Sequence, residues 1–126
     1  MIRVAIADDH AELRLALSLL LSRSKDIALV CEASNGREAV ECVKSHKPDV
    51  LVMDVTMPEL NGFEAAKQIA RLPVNTRVIL ISIHREPEYA EQAAAVGAQG
   101  FVSKDKLINS LIAAIEAVYR GEHYFR

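Results

Sequence analysis

The stretch RVAIADDHAE, Arg3 to Glu12, decides how this chain is read. Val4 to Ala7 form a run with no polar residue, as expected of a strand covered on both faces. The run then meets two adjacent carboxylates, Asp8 and Asp9, and continues into a segment with helical character. A buried strand that delivers two negative charges to its end raises the question of what neutralises them.

Similar apolar runs recur at Ile27 to Cys31, Val50 to Met53, Val78 to Ile81 and Gly100 to Val102, with longer helical stretches between them. Together with Ile2 to Ala7 they predict five strands alternating with helices. Runs that are apolar at successive positions, rather than at alternate ones, point to a parallel sheet sandwiched between helix layers. Asn35 followed by Glu38, and Asn61 followed by Glu64, carry the N-cap pattern of helix starts. Gly97 predicts a helix stop. Leu107, Leu111, Ile115 and Val118 predict a final amphipathic helix, flanked by Ile108 and Ile112 and ending near Gly121.

The 126 residues fit one domain, and 1–126 is read as a single unit with no room for a second. Fifteen basic and 17 acidic side chains leave a net charge of -2, which gives no electrostatic case for a nucleic-acid or membrane surface. No stretch reaches the ~18 apolar residues of a membrane span, and the N-terminus lacks a secretory pattern, so a cytoplasmic protein is expected. Cys31 and Cys42 lack metal-knuckle or redox-motif spacing and are read as two reduced thiols.

In a doubly wound sheet, ligands bind beyond the carboxyl ends of the strands where the strand order reverses. Asp8 and Asp9 end the first strand, Asp54 the third, Ser82 the fourth, and Lys104 follows the fifth. Taken singly, each has a structural reading. Asp9 with Glu12 is also a capping box, Asp54 a turn residue before Met57 and Pro58, Ser82 a small strand-end residue, and Lys104 a solvated cation. For Asp9 alone the cap is favoured, but one cap satisfies the helix and leaves Asp8 unexplained.

Two carboxylates ~4 Å apart at an effective dielectric of ~20 repel by about 4 kcal/mol, a large fraction of a domain's stability. Three of them need a cation, and an oxygen-only donor set suits Mg²⁺. Asp54, beside Lys104 and Ser82, is placed to attack phosphorus and form an acyl phosphate, a step in which a carboxylate nucleophile needs no general base.

The motifs IADDH, LVMDVTMPELNGFEA, ILISIH and GAQGFVSKD occur in order, and from Arg3 to about Tyr124 the chain resembles a response-regulator receiver domain of two-component signalling. IADDH, ISIH and VSKD resemble the NarL/FixJ subfamily in particular. The resemblance implies an α/β fold, a doubly wound five-stranded parallel sheet (flavodoxin-like, strand order 2-1-3-4-5) with five helices. It makes Asp54 the phosphoacceptor and places Mg²⁺ on Asp8, Asp9, Asp54 and the Thr56 main-chain carbonyl. Ser82 becomes the switch hydroxyl, Phe101 the switch aromatic and Lys104 the phosphate contact.

The implied function is a phosphorylation-dependent receiver, not a turnover enzyme on an external substrate, that catalyses its own aspartyl phosphorylation and dephosphorylation. Its implied partners are a histidine kinase and a helix-turn-helix effector domain in a longer parent, with homodimerisation also open. Two departures stand out: Phe101 replaces a frequent Tyr, and Asp105, read as the N-cap of the last helix, replaces a frequent Pro.

Other readings compete. A haloacid-dehalogenase-type phosphatase needs an acid two positions beyond the nucleophile, where Thr56 stands. A flavodoxin-like cofactor binder needs a hydroxyl- and glycine-rich phosphate loop in place of DDHAE. A receiver-fold interaction module that signals without phosphorylation would carry a degenerate site, whereas this one is complete. Of the four histidines, His84, two residues past Ser82, is the one able to flank a phosphoryl group, as is Thr56. His10, His46 and His123 are read as solvated. The segment Pro87 to Val96 predicts a loosely held helix, because its apolar face consists of Ala90, Ala93, Ala94 and Val96.

Overall fold

The computed structural model describes residues 1–125. Its elements run β1 (Ile2–Ala7), α1 (Ala11–Ser22), β2 (Ile27–Ala33), α2 (Gly36–His46), β3 (Val50–Asp54), α3 (Gly62–Ala70), β4 (Arg77–Ser82), α4 (Pro87–Ala95), β5 (Gly100–Ser103), α5 (Leu107–Tyr119) and β6 (Tyr124–Phe125). All strand pairs are parallel, in the order β2-β1-β3-β4-β5-β6. The five-stranded expectation is therefore corrected to six. After α5 the chain returns along β5, with Tyr124 opposite Gly100 and Phe125 opposite Phe101. Two residues carry no readable period, which is why the sequence hides this strand.

Successive strand residues point to opposite faces. Val4, Ile6, Val50, Val52, Ile79 and Ile81 pack with Leu17 and Leu21 of α1 and with Leu111, Ile115 and Val118 of α5. Ala5, Ala7, Leu51, Met53, Val78 and Leu80 pack on the other face with Val40 and Val43 of α2, Phe63 and Ile69 of α3, and Ala93 of α4. Each fully buried Leu or Ile contributes about 1.5–3 kcal/mol, so this double burial holds the sheet between both helix layers.

The caps explain where helices begin. Asn35 Oδ1 accepts from the Glu38 amide at 2.8 Å and Asn61 Oδ1 from the Glu64 amide at 3.0 Å. Glu38 reaches one residue further back than a capping box requires, accepting from the Ser34 amide at 2.8 Å. Gly97 and Gly121, both at φ 93°, provide the left-handed residues after α4 and α5.

Three sequence expectations are overturned here. Asp9 does not cap α1: His10 occupies the N-cap position, and its side chain makes no capping hydrogen bond. Asp105 does not cap α5, because Lys104–Lys106 form a 3-10 turn and the helix begins at Leu107. Cys31 and Cys42 are not free thiols but are joined in a disulfide, with Cα atoms 6.2 Å apart. Eleven residues of separation suggest no motif, yet the fold lays α2 directly over β2.

Of α4, Ala93 is buried, Ala90 is partly buried and Ala94 faces solvent, so its buried face is narrower than the sequence suggests. Among the described residues, no helix is long and apolar enough to cross a membrane.

Candidate functional site

The strand order reverses between β1 and β3, since the chain leaves β1 for β2 on one side and returns to β3 on the other. This brings Asp8, one residue past β1, beside Asp54, the last residue of β3. The 3-10 turn after β5 aims Lys104 back at both. Asp8 and Asp54 are buried, and Asp9 and His10 stand exposed at the rim.

Lys104 Nζ lies 3.0 Å from Asp54 Oδ2 and 3.0 Å from Asp8 Oδ2. The other oxygens are held by the chain itself. Asp54 Oδ1 accepts from the Thr56 amide at 3.3 Å, and Asp8 Oδ1 accepts from the His10 amide at 2.8 Å. Arg14 donates to the Asp8 carbonyl at 2.5 Å, tying α1 to the end of β1.

Burial raises the Asp54 carboxyl above the ordinary Asp range; Asp8 adds to the rise, and the hydrogen bond from Lys104 works against it. For Lys104, burial pulls downward, but the Asp8 and Asp54 carboxylates beside it outweigh this and leave the ammonium above its usual value. Lys104 is therefore charged at neutral pH.

One ligand atom each from Asp8, Asp9, His10 and Asp54 lie within 4.8 Å of one another, so the cluster can hold a metal ion. Asp8 Oδ2 is buried and receives no well-aligned hydrogen bond, with the Lys104 ammonium as a charge contact only. The cluster holds three carboxylates, two of them paired with one ammonium, and the surplus of two negative charges matches one divalent cation. The carboxylate donors and the charge thus both fit a divalent cation.

Above Asp54 lies a cleft of about 280 Å³ lined by Asp9, His10, Thr56, Ile83, His84 and Lys104. His84 is thus at the rim as expected, with its ring stacked on Tyr89 at 4.5 Å between centroids. Ser82 is buried at the end of β4, its hydroxyl accepting from the His84 amide at 3.0 Å, and does not line the cleft. Phe101 is buried on the α4 side, where it shares a small cavity with Ala90 and Phe125. His10 is the residue the sequence reading passed over: its Nδ1 lies 3.0 Å from Asp8 Oδ1 and 3.3 Å from Asp9 Oδ1. Its position directly after the two aspartates was the available signal.

A parallel sheet with an acidic pocket at its switch point and a lysine reaching in from β5 defines the receiver class of signalling domain. The chain belongs to the response regulator receiver domain family, whose model matches residues 4–116. It is 38% identical over 125 residues to the transcriptional regulatory protein YxjL of Bacillus subtilis (strain 168), a match covering 99% of this chain and 57% of YxjL. It is 35% identical over 124 residues to the response regulator UvrY of Escherichia coli (strain K12), covering 98% and 57% respectively.

The chain thus spans little more than half the length of these relatives. Among solved structures, the signal receiver domain of NarL from Mycobacterium tuberculosis superposes with a TM-score of 0.92 at 36% identity, covering 96% of this chain and 98% of that one. The resemblance to the NarL/FixJ group is borne out.

Proposed function

We propose that Asp54 accepts a phosphoryl group from a histidine kinase, or from a small acyl phosphate, and that the domain thereby controls a DNA-binding effector in a longer cytoplasmic parent protein. The observation that carries this reading is the placement of Asp54: a buried carboxylate facing an open cleft, with Lys104 at 3.0 Å and two further aspartates beside it.

An Asp54 oxygen attacks phosphorus in line, forming the acyl-phosphate bond as the donor's bond to phosphorus breaks and its leaving group departs with the electron pair. Asp8, Asp9, Asp54 and the Thr56 carbonyl are the groups that would hold Mg²⁺. When bound, the ion supplies positive charge against the phosphoryl oxygens. Lys104 exchanges its Asp54 contact for a phosphoryl oxygen. The Ser82 hydroxyl, which accepts from the His84 amide at 3.0 Å, turns to donate to another phosphoryl oxygen, and Phe101 responds on the α4 side. Thr56 and His84, at the rim, flank the phosphoryl group.

Incubation with Mg²⁺ and acetyl phosphate, followed by intact-mass analysis, is expected to show one phosphoryl adduct that is labile to base and absent in Asp54→Asn. Labelling that persists in Asp54→Asn, or no labelling at all, would count against the assignment; the latter would favour an interaction module that signals without phosphorylation.

A further inference from the structure

Edge strand β2 changes phase in its middle. Val4 pairs with Leu29 but Ala5 pairs with Cys31, so Val30 is an extra residue in the strand. Strict alternation would put Ile27, Leu29 and Cys31 on one face, and a bulge re-aims the side chains beyond it. Ile27 and Leu29 pack with the α1 and α5 layer, whereas Cys31 and Ala33 pack with the opposite layer. The bulge is thus the feature that turns Cys31 toward Cys42 of α2, at a Cα separation of 6.2 Å. That lies within the ~4.4–6.8 Å that a disulfide spans, so the backbone can hold the pair without rearranging.

The two sulfurs differ in access. Both border a shallow surface cleft with Glu32, Glu38, Glu41, Ser45 and His46, but Cys42 is buried while Cys31 is partly exposed. We propose that Cys31 and Cys42 form a reversible thiol–disulfide modification site that exchanges with low-molecular-weight thiols and disulfides, Cys31 being the sulfur attacked. A small thiolate bonds to Cys31 Sγ and breaks the bond to Cys42, which leaves as a thiolate and takes up a proton. A second small thiolate attacks the outer sulfur of the mixed disulfide and releases Cys31, which is protonated in turn. Two small thiols become one small disulfide, and the protein gains two electrons and two protons; oxidation by a small disulfide runs the same steps backward.

The bond clamps α2 to β2 at a point one turn from the helix end. The other end of α2 rests on the segment between β3 and α3. A Cβ built on Gly36 would fall 1.9 Å from the Leu60 carbonyl oxygen, and Asn35 donates to Glu59 at 3.3 Å. The redox state therefore sets how firmly α2 is held.

The whole chain, equilibrated in buffers of varied reduced to oxidised glutathione ratio, is acid-quenched, alkylated under denaturing conditions and weighed intact. The expected result is a mass difference of two alkyl groups between reducing and oxidising buffers, with an unchanged circular dichroism spectrum. Amide exchange in Gly36–His46 is expected to be several-fold faster in the reduced form. Cys42→Ser should take up one glutathione at Cys31, and Cys31→Ser none at Cys42. The proposal is overturned if both thiols remain alkylatable under oxidising conditions, if native protein resists every reducing buffer, if oxidation yields linked dimers, or if exchange in α2 is the same in both forms.

Discussion

Lys104 Nζ stands 3.0 Å from Asp54 Oδ2, although fifty residues separate them. That contact joins the end of β5 to the end of β3, and the same ammonium reaches Asp8 at the end of β1. One cation therefore serves two buried carboxylates, which leaves the pocket short of positive charge and ready for more. It also means that removing either aspartate alone leaves Lys104 paired, so single substitutions can be read without creating an unpaired buried ammonium.

The raised Asp54 carboxyl sets the sign of a pH effect. The folded state holds this proton more tightly than the unfolded chain does. The associated stability is thus fully present below the ordinary Asp value of about 3.9 and is lost as pH rises through the higher folded value. At pH 7, with divalent cations chelated, ionised Asp54 costs stability. Asp54→Asn is expected to unfold a few degrees higher than the parent at pH 7 and to lose that advantage near pH 3. Thermal unfolding at the two pH values checks this; a less stable variant at pH 7 contradicts it.

Asp9 is expected to matter for the cation and not for the helix. It makes no cap on α1, whereas losing a true N-cap costs about 1 kcal/mol. Asp9→Asn should abolish Mg²⁺ binding measured by calorimetry while leaving the denaturant midpoint unchanged or higher, since a like charge has gone. A lower midpoint with binding intact would restore the capping reading.

The five long strands were legible because residues such as Val50, Leu51 and Val52 are apolar in succession, a pattern that burial on both faces demands. Asp54 and Lys104 were legible because the position of a residue at a strand end fixes its place in a doubly wound sheet. The features that stayed hidden depend on geometry that no period encodes. The bulge at Val30 reverses which face Cys31 occupies, so its partner could not be read from alternation. The 3-10 turn at Lys104–Lys106 displaces the start of α5 from Asp105. Ser82 was placed correctly at its strand end, but not the fact that its hydroxyl turns toward the His84 amide instead of the cleft.

Gly62 is expected to be indispensable for a steric reason. A Cβ there would lie 2.4 Å from the Asp54 carbonyl oxygen and 2.9 Å from Val55 Cα, so relief requires moving the backbone that carries Asp54. Gly62→Ala should cost at least about 1–3 kcal/mol, as overpacking does, and slow phosphoryl uptake from acetyl phosphate. Gly97→Ala is the control. Its Cβ would meet nothing closer than 3.8 Å, so the positive φ alone costs about 1–2 kcal/mol and uptake should be unaffected. Denaturant unfolding and labelling rate are read on both variants. Equal labelling defects would show that the Gly62 contact is not the feature that positions Asp54.

The effect of a phosphoryl group is expected to reach the surface through His84. The Ser82 hydroxyl accepts from the His84 amide at 3.0 Å and does not line the cleft, so reaching a phosphoryl oxygen requires its Oγ to move. The His84 ring lies flat on Tyr89, 6° from parallel, so movement of the loop after β4 is passed to the first turn of α4. That helix yields readily: Glu86 provides no side-chain cap, and Ala93 is its buried residue. Beside it, a cavity of about 150 Å³ lined by Phe101, Ala90 and Phe125 gives the Phe101 ring room to turn, and its apolar ring strands no hydroxyl on doing so. Amide exchange with and without beryllofluoride and Mg²⁺ is expected to change across Ser82 to Phe101. In His84→Ala the change should persist at Ser82 and Ile83 but shrink across Pro87–Ala95. Undiminished change in the helix of that variant would place the coupling in Phe101 instead, and unchanged exchange in the parent, with Asp54 demonstrably occupied, would exclude this face as the output.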